Sequence, residues 1–242
     1  MIISHKHKFI FIKTAKTAGT SIEVALANLC GDDDVITPLS GDQEAKRQGR
    51  GAQNLHLDHP AKPKVPLYRR LLGRPERPWH PSVGYYSHMP AWRVRTYVGE
   101  AIWNDYFVFA FDRNPWDRQV SHYHYKIKNK DKPLDFETYM QSKRRAFVNN
   151  FELYSEKDKI IVDYVGCFEN INEEFEKIQN IIGIKDKVSL PVKNKSKQKV
   201  DNYKDLYSEK TKEKVSRWYR NEIDVFNYQF EQDSPPTSYQ SS

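Results

Sequence analysis

Two polar segments of the chain carry residue types that can hold and activate phosphate- or sulfate-bearing groups, and each follows an apolar run. Lys13-Thr14-Ala15-Lys16-Thr17-Ala18-Gly19-Thr20-Ser21 comes after Phe9-Ile10-Phe11-Ile12. Arg113-Asn114-Pro115-Trp116-Asp117-Arg118 comes after Phe107-Val108-Phe109-Ala110-Phe111-Asp112. In the first segment a strand passes through a turn into a helix whose apolar face is Ile22, Val24, Ala25, Leu26 and Leu29. Backbone N–H groups and the positive helix end can hold an anion there. Thr17, Thr20 and Ser21 add hydroxyl donors, and Lys16 adds a mobile charge. The order of a Walker A loop is missing, and the segment has a single glycine, Gly19. A merely polar turn capped by Ser and Thr has the same composition. In the second segment Arg113 sits where strand hands over to helix, and its planar fork suits bidentate contact with a phosphate. Ser121 lies two turns along, on the side of Asn114 and Asp117, within reach of the same anion. The alternative is an Arg113 paired with Asp112 or Asp117 and a solvent-facing Ser121.

Positioning these groups falls to the elements around them. Residues 8–13 and Tyr106 to Phe111 read as buried strands. Asn114 can cap the helix after the second strand and Pro115 suits its first turn, while Trp116, Val120, Tyr123 and Ile127 mark its apolar face. Trp92, Val94, Tyr97 and Val98 predict a short helix after Pro90, and another is expected around Leu134 to Met140. A third strand falls near Ile160 to Val162 or Val165 to Phe168. Asn170 and Glu173 have capping-box spacing ahead of a helix through Phe175 and Ile178 that ends at Gly183. A final helix contains Val215 and Trp218. Strands alternating with helices predict an α/β, three-layer, P-loop-like fold: a central parallel sheet flanked by helices, with ligands beyond the carboxyl ends of the strands. One domain is expected over residues 1–231. Within it, 31–82 reads as a variable loop insertion that either contacts an acceptor or is merely solvated. Residues 232–242, rich in Ser, Pro and Gln, read as a disordered tail.

Composition narrows the function class. The 242 residues suffice for one sizeable domain, and 12 Phe, 15 Tyr and 5 Trp offset a hydrophobic content of only 38%. With 39 Lys+Arg against 32 Asp+Glu the net charge is +7, which favours anionic ligands. The longest apolar runs fall far short of the ~20 residues of a membrane span. A secretory signal, with its ~7–15-residue apolar region, is also missing. Cys30 and Cys167 give neither a disulfide framework nor metal-ligand spacing. A reducing cytoplasm is the expected compartment, and the Golgi lumen becomes the expectation only for a chain trimmed of a membrane anchor.

Taken together, the two loops resemble those of the carbohydrate sulfotransferases that use 3′-phosphoadenosine 5′-phosphosulfate (PAPS), the group related to heparan sulfate 2-O-sulfotransferase and its bacterial relatives. Phe9 to Ser21 looks like that family's 5′-phosphosulfate loop, and Phe111 to Ser121 like its 3′-phosphate motif. Ser87-His88-Met89-Pro90-Ala91 resembles its His-x-Pro-Ala stretch. Val165 to Asn170, Leu190 to Ser196 and Asp224 to Tyr228 stand in matching places, so the resemblance covers most of residues 8–230. Ala15 replaces a frequent Pro. Asp112 replaces a frequent hydrophobic residue and is placed to compete with the phosphate for Arg113.

The resemblance implies a role for each group. Lys16 would contact the phosphosulfate and stabilise the departing phosphate, while Thr17, Ala18, Gly19, Thr20 and Ser21 hold the 5′-phosphate. Arg113 and Ser121 would bind the 3′-phosphate. Asn194, Lys195 and Ser196 would lie over the nucleotide, although a solvated Lys-rich loop reads the same. His88 would be the base, an imidazole being able to take a proton near neutral pH. His56, His59 and His80 are its rivals. His122 and His124, on the helix after Arg113, read as structural or close to the cofactor, and Phe168 and Glu169 as shaping the pocket from behind. No metal is implied. The product is adenosine 3′,5′-bisphosphate (PAP), and the acceptor is a glycan or glycoconjugate. Two other readings compete: a P-loop-type kinase or nucleotide hydrolase, and a non-enzymatic polyanion-binding module. Neither shows its own signature, since a Walker pattern, an acidic Mg²⁺ ligand and a nucleic-acid-reading motif are all missing.

Overall fold

The computed structural model describes residues 1–39, 41–47, 49–64, 82, 84–191, 202–231 and 236–241. Its first strands, Ile2–Ser4 (β1) and Phe9–Phe11 (β2), pair as an antiparallel hairpin with Ile3 opposite Ile10. The helix Gly19–Ala27 (α1) follows, and then Val35–Ile36 (β3) pairs antiparallel with β1. The segment read as a variable loop insertion therefore contributes an edge strand. Two short helices, Ala91–Val98 (α2) and Glu100–Asp105 (α3), lead into Phe107–Asp112 (β4) and the long helix Pro115–Ile127 (α4). As the sequence predicts, the Asn114 side chain accepts the Trp116 N–H at 3.1 Å and Pro115 occupies the first turn.

Beyond α4 come Phe136–Met140 (α5), Lys143–Ala146 (α6) and Phe151–Tyr154 (α7), then a small hairpin of Ser155–Glu156 (β5) and Lys159–Ile160 (β6). Of the two places offered for the third core strand, the later is closer: Tyr164–Cys167 (β7) joins the main sheet. Helix Ile171–Ile181 (α8) follows, without the expected Asn170 side-chain cap. A 3₁₀ turn over Phe168–Asn170 feeds into it, so Asn170 lacks the extended backbone a capping side chain needs. The chain closes with Glu209–Trp218 (α9), Arg220–Phe226 (α10) and Tyr239–Gln240 (β8). This last strand falls within residues 232–242, the stretch expected to be a disordered tail. Tyr239 pairs with Val165 of β7, and the Ser241 N–H donates to Asp163 at 2.9 Å, so polar composition is overridden by an open sheet edge that supplies backbone partners.

Strand order is β3-β1-β2-β4-β7-β8, with β2, β4 and β7 parallel and the outer pairings antiparallel. The sheet is thus mixed, with the expected parallel arrangement at its centre. Side chains alternate between two cores. Phe9, Phe11, Phe109, Phe111 and Tyr164 pack with Ile22 and Leu26 of α1 and Phe175 and Ile178 of α8. Ile10, Ile12, Val108, Ala110 and Val165 pack on the other face with Val94 and Tyr97 of α2 and Trp116, Val120 and Tyr123 of α4. Helices therefore cover both faces, and the neighbouring parallel strands β2 and β4 release their loops side by side at one edge.

Candidate active site

The first loop leaves β2 and crosses the end of β4. The Thr14 hydroxyl donates to the carbonyl of Phe111 and lies 2.7 Å from the Thr17 hydroxyl, so Thr14 ties the loop to the neighbouring strand. Lys16 and Ala18 both take left-handed backbone, at φ 66° and 57°. Such residues turn successive peptide N–H groups toward the inside of a loop. Intrahelical bonding starts with Ser21 and Ile22 donating to the Ala18 carbonyl, which leaves the N–H groups of Gly19 and Thr20 at the positive end of α1 without a helical acceptor. Gly19 has its own reason to be glycine: a Cβ there would lie 2.9 Å from Cγ of Lys13. The Lys13 side chain passes across it and pairs with the buried Glu23 of α1.

Beside this loop is a cleft of 630 Å³ whose walls include Lys13, Lys16, Gly19, Thr20, Ser87, His88, His122 and Tyr125. Lys16 extends over the Tyr125 ring, its Nζ 4.5 Å from the centroid. His88 enters from the segment before α2, again with left-handed backbone at φ 57°. A bridge between His56 and Gly84 holds the approach to that segment. Gly84, at φ 135°, has no room for a side chain, since a Cβ would stand 2.4 Å from the Leu55 carbonyl. Nδ1 of His88 is 3.0 Å from the Lys13 carbonyl. A carbonyl only accepts, so Nδ1 carries the hydrogen and Nε2 is the basic nitrogen. Desolvation by the cleft walls lowers the His88 pKa, and the Lys13 charge lowers it further. Because the ring is open to the cleft, water shares in its solvation and the shift is smaller than full burial would give. His88 is therefore neutral at pH 7.

The rivals lie elsewhere. His56 is exposed, His59 packs on Tyr97 with ring centroids 5.2 Å apart, and neither lines the cleft. His80 lies outside the described residues, as do Asn194, Lys195 and Ser196. His122 does line the cleft, and its Nδ1 sits 2.7 Å from the Tyr139 hydroxyl. Burial, with Lys126 and Lys16 nearby, lowers its pKa to about 4.

The second loop is held from behind. Asp112 does not compete for the Arg113 guanidinium. It accepts the Arg113 backbone N–H at 2.6 Å and turns its carboxylate to Arg118, 2.7 Å away, and to the Tyr154 hydroxyl. Fully buried Arg118 also donates to Glu222 at 2.8 Å. The Arg113 fork meets Asp117 at 2.7 Å and donates to the Lys16 carbonyl at 3.0 Å, so one side chain joins the two loops. Phe168 lies under that guanidinium, 4.2 Å from ring centroid to Cζ, and Glu169 accepts the Asn114 N–H at 2.7 Å. Burial pushes the Glu169 carboxyl up to about 7. Ser121 sits on α4 next to His122 but does not line the cleft, and the Thr17 hydroxyl is turned inward to Thr14. What Thr17 has to offer a ligand is its backbone N–H. Sequence reasoning did not single out Tyr125, Gln43 or Glu23. Tyr125 was findable, lying one helical turn beyond Ser121. Gln43, whose carbonyl oxygen accepts from the Thr20 hydroxyl at 3.3 Å, comes from the loop insertion and had no signal.

One edge of the parallel strands thus carries a lysine-bearing loop at a helix start, an arginine that joins the two loops and a neutral histidine. The sulfotransferase family model matches residues 1–229, and the chain belongs to that family. An uncharacterized protein of Archaeoglobus fulgidus is 34% identical over 122 residues, which is 49% of this chain and 99% of that protein. No solved structure is a significant match. Among the described residues, no helix is long and apolar enough to cross a membrane, and no group of three or more His, Cys, Asp or Glu is gathered to hold a metal ion.

Proposed function

We propose that the chain, on a P-loop-like scaffold, moves a sulfuryl group from PAPS to a hydroxyl of a saccharide acceptor. The observation that carries this reading is that Lys16 and His88 face one cleft beside the anion loop. The cradle fits a phosphosulfate: it combines the Lys16 ammonium, the start of α1 and inward-turned peptide N–H groups in a loop with no carboxylate on its cleft side. Bound there, the donor supplies the sulfuryl group and departs as PAP. The N–H groups of Thr17, Ala18, Gly19 and Thr20 hold the 5′-phosphate, with the Thr20 hydroxyl beside them, while the Ser21 N–H stays in the first bond of α1. Arg113 and Ser121 hold the 3′-phosphate, with Asn194, Lys195 and Ser196 as further contacts. Lys16 places its ammonium where negative charge grows as the bond to sulfur breaks. Nε2 of His88 takes the proton from the acceptor hydroxyl, and the Lys13 carbonyl steadies the imidazolium through Nδ1–H.

A phosphoryl-transfer reading would need an acidic residue available to Mg²⁺ at the end of β4, and Asp112 is committed there to Arg118 and Tyr154. The test is incubation with sulfur-labelled PAPS and a panel of glycans, glycolipids and small alcohols, followed by product mass. Label in a glycan is expected. Transfer from ATP to the same panel, with none from PAPS, would overturn the reading.

A further inference from the structure

Asn150 precedes α7, a place where asparagine normally caps its own helix by accepting from the first-turn N–H groups. Its side chain makes no such cap. Fully buried, it spends both ends of its amide on one distant residue: Oδ1 accepts the Ala15 N–H at 2.8 Å, and Nδ2 donates to the Ala15 carbonyl at 2.9 Å. Ala15 immediately precedes Lys16, the first of the two left-handed residues of the anion loop. Non-glycine residues hold that conformation only where their surroundings over-determine it, and a preceding residue gripped at both its N–H and its C=O is such a constraint. The clamp is itself anchored. Val148 N–H donates to the Tyr219 hydroxyl at 2.8 Å, Tyr219 donates to Oε1 of Gln119 at 2.9 Å, and Gln119 Nε2 donates to the Ala146 carbonyl at 2.8 Å. Gln119 is on α4, so the segment gripping the first loop is referenced to the helix that follows the second.

We propose that Asn150 is a positioning residue for the 5′-phosphate end of the site: its amide fixes Ala15, and through it the turn that aims Lys16 and the loop N–H groups. The inference rests on the nucleotide reading given above. Calorimetric titration of the wild type, Asn150→Ala and Asn150→Asp with adenosine 3′,5′-bisphosphate, adenosine 5′-phosphate and adenosine 3′-phosphate tests it, with thermal midpoints measured in parallel. Asn150→Ala should weaken both 5′-phosphorylated nucleotides about tenfold or more, two buried hydrogen bonds being lost, and shift the 3′-phosphate by less than about twofold. Asn150→Asp keeps the acceptor for Ala15 N–H and should fall between. General destabilisation would not select the 5′ end. Equal losses for all three nucleotides, or none for any, would overturn the inference alone. If the wild type binds none of them, the nucleotide reading falls and this inference with it. A measurement that needs no variant is amide exchange: the Ala15 N–H should be slow in the unliganded wild type, and fast exchange there would also overturn the clamp.

Discussion

The carbonyl oxygen of Lys13 lies 3.0 Å from Nδ1 of His88, so the residue that opens the anion loop also sets the tautomer of the candidate base. Both catalytic candidates, Lys16 and His88, hold left-handed backbone, a conformation that costs about 1–3 kcal/mol each and is kept only by such contacts.

This arrangement has a signed pH consequence. Since desolvation and the Lys13 charge lower the His88 pKa, the acidic limb of kcat/KM should fall below the ordinary imidazole value of 6.5. Lys13→Gln removes a positive charge that lowers the His88 pKa, so that pKa should rise. The limb should therefore move to higher pH in that variant. His88→Ala should lose about a hundredfold in turnover and the limb with it, while nucleotide affinity stays near wild type. A limb that does not move in Lys13→Gln would separate the two residues.

Lys16 and Tyr125 should behave oppositely toward the nucleotide. Lys16→Ala should slow turnover by about a hundredfold or more and weaken PAP binding. Tyr125→Leu removes a ring that holds the Lys16 ammonium in the unliganded protein, a contact of about 0.5–1 kcal/mol at an exposed site. PAP should then bind about twofold to fivefold more tightly by calorimetry, and Tyr125→Phe should match wild type. Weaker binding in Tyr125→Leu would show that the ring serves the bound state instead.

Arg113→Ala should weaken the bisphosphate nucleotide by on the order of 2 kcal/mol, the scale of charge-assisted hydrogen bonds. Because Arg113 also donates to the Lys16 carbonyl, adenosine 5′-phosphate should lose affinity too, by a smaller factor. Equal losses would leave the bracing of Lys16 as the main role of Arg113.

The buried Asp112, Arg118 and Glu222 group bears two carboxylates against one guanidinium. Burial raises the Glu222 pKa and the nearby Asp112 adds to the rise, while Arg118 opposes it. A carboxyl whose folded pKa is raised favours the folded state most at low pH, and this contribution is lost as pH climbs above the ordinary value of 4.5. Glu222→Gln cannot ionise, so its stability relative to wild type should improve from pH 5 to about pH 7 in urea titrations and level off above that. A constant difference across that range would place the excess charge elsewhere.

Much of the central fold is legible in the sequence because β2 and β4 are short continuous apolar runs followed at once by polar turns, and α4 has both a cap and a periodic face. Local pattern suffices for such units. The outer strands are less legible: β3 and β8 have only two residues each, and they exist because a neighbouring strand edge offers hydrogen-bond partners. The same division holds in the site. Lys16, Arg113 and His88 stand in recognisable local contexts. Asn150 and Glu23 act on loop residues through tertiary contact, and nothing in the spacing of the chain announces those pairings.

The terminal strand also bears on how the protein behaves in concentrated solution. β7 is buried along its whole length, and β8 occupies its outer edge through Tyr164 opposite Gln240 and Val165 opposite Tyr239. An uncovered edge of that kind is a template on which a second chain can add a strand. With β8 in place that edge is paired, and a chain cut before Pro236 should keep its cleft yet gather into aggregates through the bared edge of β7.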